Sequence, residues 1–205
     1  EDEQVKIEVN TVFRGTVLPA ERRVLSPQTA ATFSAELELP TLAPAELYGS
    51  KLVAALDRQH PRDLFDVLTM FESGGLSDEM VECFVVYLAG HNRPTHEVLF
   101  GNDKDIATEF RSQFVGMTRA PVELDTLLAA RTRLKRELPK RLSERHRQFL
   151  TGLARAEPDW SLLSCEHAAE LPALRWKLMN LTAFRDRRLA AFERQAGLLA
   201  EQLAL

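Results

Sequence analysis

Val5, Ile7 and Val9 alternate with Lys6, Glu8 and Asn10, the period-two pattern of a half-buried strand. Arg14-Gly15 marks a turn and Val17-Leu18 a short return strand, and residues 32–39 alternate again until Pro40. Three short strands need a packing partner, either helices behind them or a sheet that continues beyond them. The chain does not begin with Met and enters its first strand at once, which reads as a fragment or as a chain whose start was removed.

From Pro44 the period is helical. Pro44 opens a helix to about Arg58, Pro61 opens the next through about Glu72, and Gly74-Gly75 ends it. Ser77 caps a third, with Asp78 and Glu79 suited to its N-terminus. Further helices are predicted over 103–115, 122–137, 139–156, 166–180 and 182–204, with breakers at Gly101-Asn102, Pro121, Pro139 and Pro158. The predicted class is α+β: a short antiparallel β portion over residues 1–40, then a mainly helical domain over 41–205.

Composition narrows this little. The 205 residues are 45% apolar and 27% charged, an ordinary soluble balance. No run of about 18 apolar residues suggests a membrane span, and the acidic start lacks a secretory signal. A net charge of −4 argues against a uniformly basic nucleic-acid binder. Cys83 and Cys165 stand far apart, which excludes a disulfide framework or a Cys-rich zinc site and makes a reducing cytoplasm the expected setting.

Candidate chemistry concentrates in 46–72. Lys51 and Arg58 are seven apart and share a helix face. After the His60-Pro61 turn, Asp63 and Asp66 share a face of the next helix, with Leu64, Val67, Leu68 and Phe71 as its buried stripe. Cations on one helix and carboxylates on the next can meet across the corner. There the cations would hold a polyphosphate and a carboxylate would fix the position of Lys51. Arg62 and Asp66, at i,i+4, also match an ordinary surface ion pair, and periodicity alone favours that reading.

The pattern Glu46…Lys51-x-x-Ala54-Ala55-Leu56-x-Arg58…Arg62-Asp63-Leu64-Phe65-Asp66-Val67 resembles the AbiEii/AbiGii toxin family of nucleotidyltransferases. Val5–Asn10 looks like that family's late core strand. The segments Glu157-Pro158-Asp159-Trp160-Ser161-Leu162-Leu163 and 171–181 look like its C-terminal helical part. The resemblance covers most of the chain, in order. It implies that residues 1–40 complete a nucleotidyltransferase-like core. It also implies transfer of a nucleoside monophosphate from an NTP, with Mg²⁺, to an acceptor such as the 3′ end of tRNA, and a cognate antitoxin as possible partner. By that resemblance Lys51 binds the triphosphate, Asp63 or Asp66 orients it, Arg58 or Arg62 supports the phosphates, and Glu8 is the third metal carboxylate. The sequence departs from the family at its start. A Gly-Ser motif followed on a strand by two alternating acidic residues is not found before Val5, and Gly49-Ser50 is followed by no such strand. Glu8 alone cannot hold the two metal ions of nucleotidyl transfer, so this chain by itself is expected to be inactive.

Lys6, Glu8 and Asn10 fit a metal-facing strand and a wet ribbon face equally well. Residues 131–147 carry eight Lys/Arg against two acids, a local +6 in a chain whose remainder is −10. Arg133, Arg136 and Arg141 there are candidates for RNA phosphates, against the blander reading of a solvated surface with ion pairs. His91 and His96 suggest loop or surface roles, Trp160 and Trp176 packing more than base stacking, and Cys83 a buried inert thiol. A non-catalytic helical module that binds RNA or a protein partner is the alternative from a different class.

Overall fold

The computed structural model describes residues 15–203. The expected strand at Val5–Val9, and Glu8 with it, lies outside the described residues. Strands β1 (Glu21–Val24) and β2 (Glu38–Thr41) pair antiparallel, with Arg22 opposite Pro40. Proline lacks an N–H and is tolerated in such an edge pairing. The expected strand over 32–39 is corrected at its first half. Ser26 accepts a hydrogen bond from the Thr29 amide and Pro27 sits in the first turn, so 27–33 forms helix α1 (Pro27–Phe33). Val17-Leu18 is not a return strand either, because its amides are taken by the Glu46 side chain.

Helices α2 (Pro44–Asp57) and α3 (Pro61–Glu72) begin at their prolines as expected, and α4 (Asp78–Ala89) at Ser77, whose hydroxyl accepts from the Met80 amide. Next come α5 (Thr95–Leu99), which the pattern does not announce, α6 (Ala107–Gln113), α7 (Leu124–Arg141) and α8 (Glu144–Ala154). The break expected at Pro139 falls later. α7 runs through Pro139, and Ser143 and His146 form a reciprocal capping box that starts α8. α9 (Pro172–Arg187) outruns its expected end and α10 (Leu189–Leu203) follows a kink at Arg188. The class is α+β and mostly helical.

The core sits where α2 crosses α4 and where α3 meets α7, around Leu52, Leu64, Phe84, Leu88, Leu134 and Phe149. Gly49 explains the close approach of α2. A Cβ there would lie 2.7 Å from the Cys83 Cβ and 2.8 Å from the Phe84 amide nitrogen, so Gly49 serves helix packing. Cys83 is buried and its thiol is pushed up to about 12, first by burial and then by the Glu46 and Glu79 charges, which makes it inert as expected. Among the described residues, no helix is long and apolar enough to cross a membrane.

A second polar clasp closes the far side of α4. His146 Nδ1 accepts from the Ser143 amide, which leaves the ring proton on Nε2, 2.8 Å from Glu82 Oε2. Glu82 Oε1 accepts from the Ser164 amide at 2.6 Å. Burial pushes the Glu82 carboxyl up, but His146, the Ser164 amide and Arg145 outweigh it and the net is a lowered pKa. Its stabilisation is therefore full above the ordinary value of 4.5 and fades as pH falls below it. Glu82→Gln should cost about 1–2 kcal/mol at pH 7. In urea melts the gap between wild type and variant should narrow towards pH 3; a gap that does not depend on pH would show that the carboxylate contributes only its shape.

Candidate functional site

α2 and α3 form an αα-hairpin whose facing surfaces carry the predicted residues as two rungs. Nearest the turn, Arg58 donates to Asp63 through two nitrogens, Nε to Oδ2 at 3.1 Å and an Nη to Oδ1 at 2.7 Å. Two turns further along, Lys51 Nζ lies 2.5 Å from Asp66 Oδ2, with both side chains about a third exposed, at 34% and 35%. The seven-residue spacing of Lys51 and Arg58 and the three-residue spacing of Asp63 and Asp66 thus meet in register. The expected Arg62–Asp66 surface pair does not form, because Asp66 faces Lys51 instead. Arg62 is exposed, and its guanidinium has no hydrogen-bond or ion-pair partner among the described residues.

The turn between the helices is held by a residue that no sequence pattern marks. Gln59 is buried in a left-handed conformation, φ 55°, which costs a non-glycine residue about 1–3 kcal/mol. Its amide offsets that cost. Nε2 donates to the Asn102 carbonyl at 2.8 Å, and Oε1 accepts from the Lys104 amide at 3.0 Å and from Arg131 at 3.1 Å. His60 caps α3 by accepting from the Arg62 amide. Asp57, at the end of α2, receives Arg93 at 2.5 Å and lies 3.5 Å from His91 Nε2. Glu46, the first residue of the resembling pattern, is fully buried in the first turn of the same helix. No local motif announces a glutamine at a left-handed position or an acid that binds a distant backbone.

Arg58, His60, Arg62 and Asp63 line an open polar cavity of about 580 Å³ together with Gln59, Lys104, Asp105 and Glu109; Lys51 and Asp66 are not part of its wall. Its cations and acids balance. Arg58 is engaged by Asp63, and Lys104 donates to the Asp57 carbonyl at 2.7 Å. The Arg62 guanidinium is the cationic group there with no hydrogen-bond or ion-pair partner of any kind among the described residues. No group of three or more His, Cys, Asp or Glu that could hold a metal occurs among the described residues. Asp63 and Asp66 are both taken by cations, so the described residues do not by themselves fit Mg²⁺.

The basic block is largely committed within the fold. Arg131 is buried against Gln59 and the Lys104 carbonyl, and Lys135 holds Asp103 and the Gly101 carbonyl. Arg133 stacks over Phe71, 3.9 Å from the ring centroid, and pairs with Glu137 at 3.0 Å. Arg136 shares Glu137, and Arg141 reaches Asp78 at 2.7 Å. Trp160 packs on Phe149, as expected, whereas Trp176 is 65% exposed and is not a packing residue.

Comparison with known proteins bears on this hairpin. A family profile described as the nucleotidyl transferase AbiEii toxin of type IV toxin–antitoxin systems matches residues 1–180. No curated protein and no solved structure matches the chain. The matched span contains both rungs of the hairpin and runs into α9, and the chain belongs to the AbiEii family of nucleotidyl transferase toxins.

Proposed function

We propose that this chain is the C-terminal part of a nucleotidyltransferase toxin that moves a nucleoside monophosphate from an NTP to an RNA acceptor such as tRNA. The observation that carries the reading is the pair of ion-paired rungs, Lys51–Asp66 and Arg58–Asp63, on one hairpin of an AbiEii-family chain. Lys51 would meet the triphosphate, with Asp66 fixing the ammonium. Arg58, held by Asp63, and Arg62 would support the phosphates from the turn. Charge that grows on the leaving pyrophosphate is then met by cations already in position. The acidic cluster for Mg²⁺ would include Glu8 and further carboxylates supplied with the Gly-Ser motif. The β portion over 1–40 would complete that core, and a cognate antitoxin would restrain the enzyme in the cytoplasm. Arg133, Arg136 and Arg141 would face RNA phosphates. Their partners Glu137 and Asp78 lie on the surface, and such pairs are worth about 0–1 kcal/mol each, so phosphates can displace them.

The alternative, a non-catalytic helical module, draws on the fact that Lys51 and Arg58 are each already held by a carboxylate. Label transfer separates the two readings. With each α-labelled NTP, Mg²⁺ and total tRNA, the complete gene product should label RNA and the 205-residue chain alone should not. No label from any NTP with the complete gene product would leave the non-catalytic module standing. Robust transfer by the 205 residues alone would overturn the assignment of the metal carboxylates to another part of the enzyme.

A further inference from the structure

A mostly apolar cavity lies away from the hairpin. It has a volume of about 580 Å³, within the usual range for ligand sites, and shares no lining residue with the Arg58–Arg62 cavity. Trp176, Leu181 and Phe184 form its apolar wall. The indole of Trp176 is an unusual thing to leave in water at 65% exposure. Three amide side chains, Asn92, Asn180 and Gln195, also line it, and none has a protein partner among the described residues. Lys177 completes the wall. It is 8% exposed, and its ammonium donates to the His91 carbonyl at 2.7 Å and the Arg93 carbonyl at 2.8 Å. A lysine has three N–H donors, so one remains for a ligand. Burial pulls its pKa down to about 8, which leaves the ammonium mostly charged at neutral pH.

A flat π-surface, three free amides that each donate and accept, and one buried cationic donor suit a heteroaromatic ring with both donors and acceptors on its edge. That is the chemistry of a nucleobase. The helix that carries the wall also says whether a phosphate backbone comes with it. On α9, Trp176, Asn180 and Arg187 share a face at spacings of four and seven, and Arg188 follows at the non-helical residue that ends the helix. Arg175, Arg187 and Arg188 are exposed and have no ion-pair partner among the described residues. This differs from the 131–147 block, where Arg133, Arg136 and Arg141 each hold a carboxylate. We infer that the cavity between α9, α10 and the 90–94 loop takes one unpaired base of an RNA strand, stacked on Trp176 and read by Asn92, Asn180 and Gln195, while Arg187 and Arg188 hold the adjoining phosphates. The inference deepens the acceptor half of the proposed function and rests on that reading for its meaning, but binding tests it without catalysis.

The chain has two tryptophans, so Trp160→Phe makes Trp176 the sole indole. A short single-stranded oligoribonucleotide should quench its fluorescence on binding. AMP should bind more weakly than the strand, and duplex RNA should leave the indole unquenched. Trp176→Ala, at an exposed position that the fold does not need, should weaken strand binding by about tenfold, the usual scale of one base–aromatic stack. Arg187→Gln with Arg188→Gln should flatten the salt dependence by about 0.7 for each phosphate that is no longer neutralised. Equal affinity for AMP and the strand would overturn the strand assignment. No quenching, or strand affinity unchanged by Trp176→Ala, would overturn the base pocket. A salt slope that falls only on joint replacement of Arg133, Arg136 and Arg141 by Gln would put the strand on α7 instead. Loss of transfer activity with binding intact would count against the proposed chemistry alone, and intact transfer with no Trp176-dependent binding would count against this pocket alone.

Discussion

Glu46→Ala should cost the chain about 3–5 kcal/mol, because it strands three hydrogen-bond donors at about 1–3 kcal/mol each. Glu46 is fully buried in the first turn of α2 and its carboxylate serves three donors. The Val17 amide reaches Oε1 at 2.7 Å, the Leu18 amide reaches Oε2 at 3.0 Å, and the Tyr87 hydroxyl reaches Oε1 at 2.9 Å. Burial first, and then the hydrogen bond to Glu46, push the Tyr87 phenol up, so it remains a donor through the physiological range. Alanine would leave all three donors without a partner, two of them backbone amides that water reaches poorly. Glutamine keeps one acceptor oxygen but turns the other position into a donor facing a donor, so Glu46→Gln should lose about 2–3 kcal/mol. Tyr87→Phe removes one donor cleanly and should lose about 1–2 kcal/mol. Urea denaturation of the three variants gives the order. A loss below ~1 kcal/mol for Glu46→Ala would mean that the 15–18 segment docks on α2 through its apolar side chains alone.

That carboxylate also shows where sequence reading stops. Pro44 and Pro61 at helix starts, and Ser77 as a cap, are local signals, because proline fixes φ and a serine hydroxyl satisfies a free amide within three residues. The α2–α3–α4 order is therefore legible, and so is the shared face of Lys51 and Arg58. The partner choice is not. Asp66 could pair with Arg62 one turn away on its own helix or with Lys51 across the hairpin, and only the packing of α2 on α3 decides in favour of Lys51. Glu46 and Gln59 bind backbone 28 to 45 residues distant, so no window of sequence contains both partners. The excess of Lys/Arg in 131–147 is visible, but Arg131 lies in the core and Lys135 is taken by the Gly101 carbonyl. Charge counted along a chain says nothing about which charges the fold engages. Trp176 escapes sequence reading for the converse reason: an apolar residue type does not state whether a neighbour covers it.

In the complete gene product, Lys51→Ala and Asp66→Ala should each abolish transfer and toxicity while leaving the fold intact. The two side chains meet at 2.5 Å and are each about a third exposed, 34% and 35%. As a surface ion pair they would contribute at most ~1 kcal/mol to stability, so neither substitution should lower the melting temperature by more than a few degrees. Catalysis would feel the loss far more. An ammonium aimed at a developing phosphate charge is worth about 3–4 kcal/mol, a hundredfold to a thousandfold in rate. Asp66 would act indirectly, by holding the flexible Lys51 stem where the charge appears. If the two act as one unit, the double variant should be little slower than either single variant. Lys51→Arg keeps the charge but enlarges the head and splays its donors, so it should restore only part of the rate. Asp66→Asn keeps the shape without the charge and separates positioning from electrostatics: a rate near that of wild type would mean that a neutral hydrogen bond suffices to hold Lys51. Single-turnover transfer rates, growth inhibition and thermal melts on the same set of proteins read all of this together. Full toxicity in Lys51→Ala would end the phosphate-binding assignment and leave the Lys51–Asp66 rung as a brace between two helices.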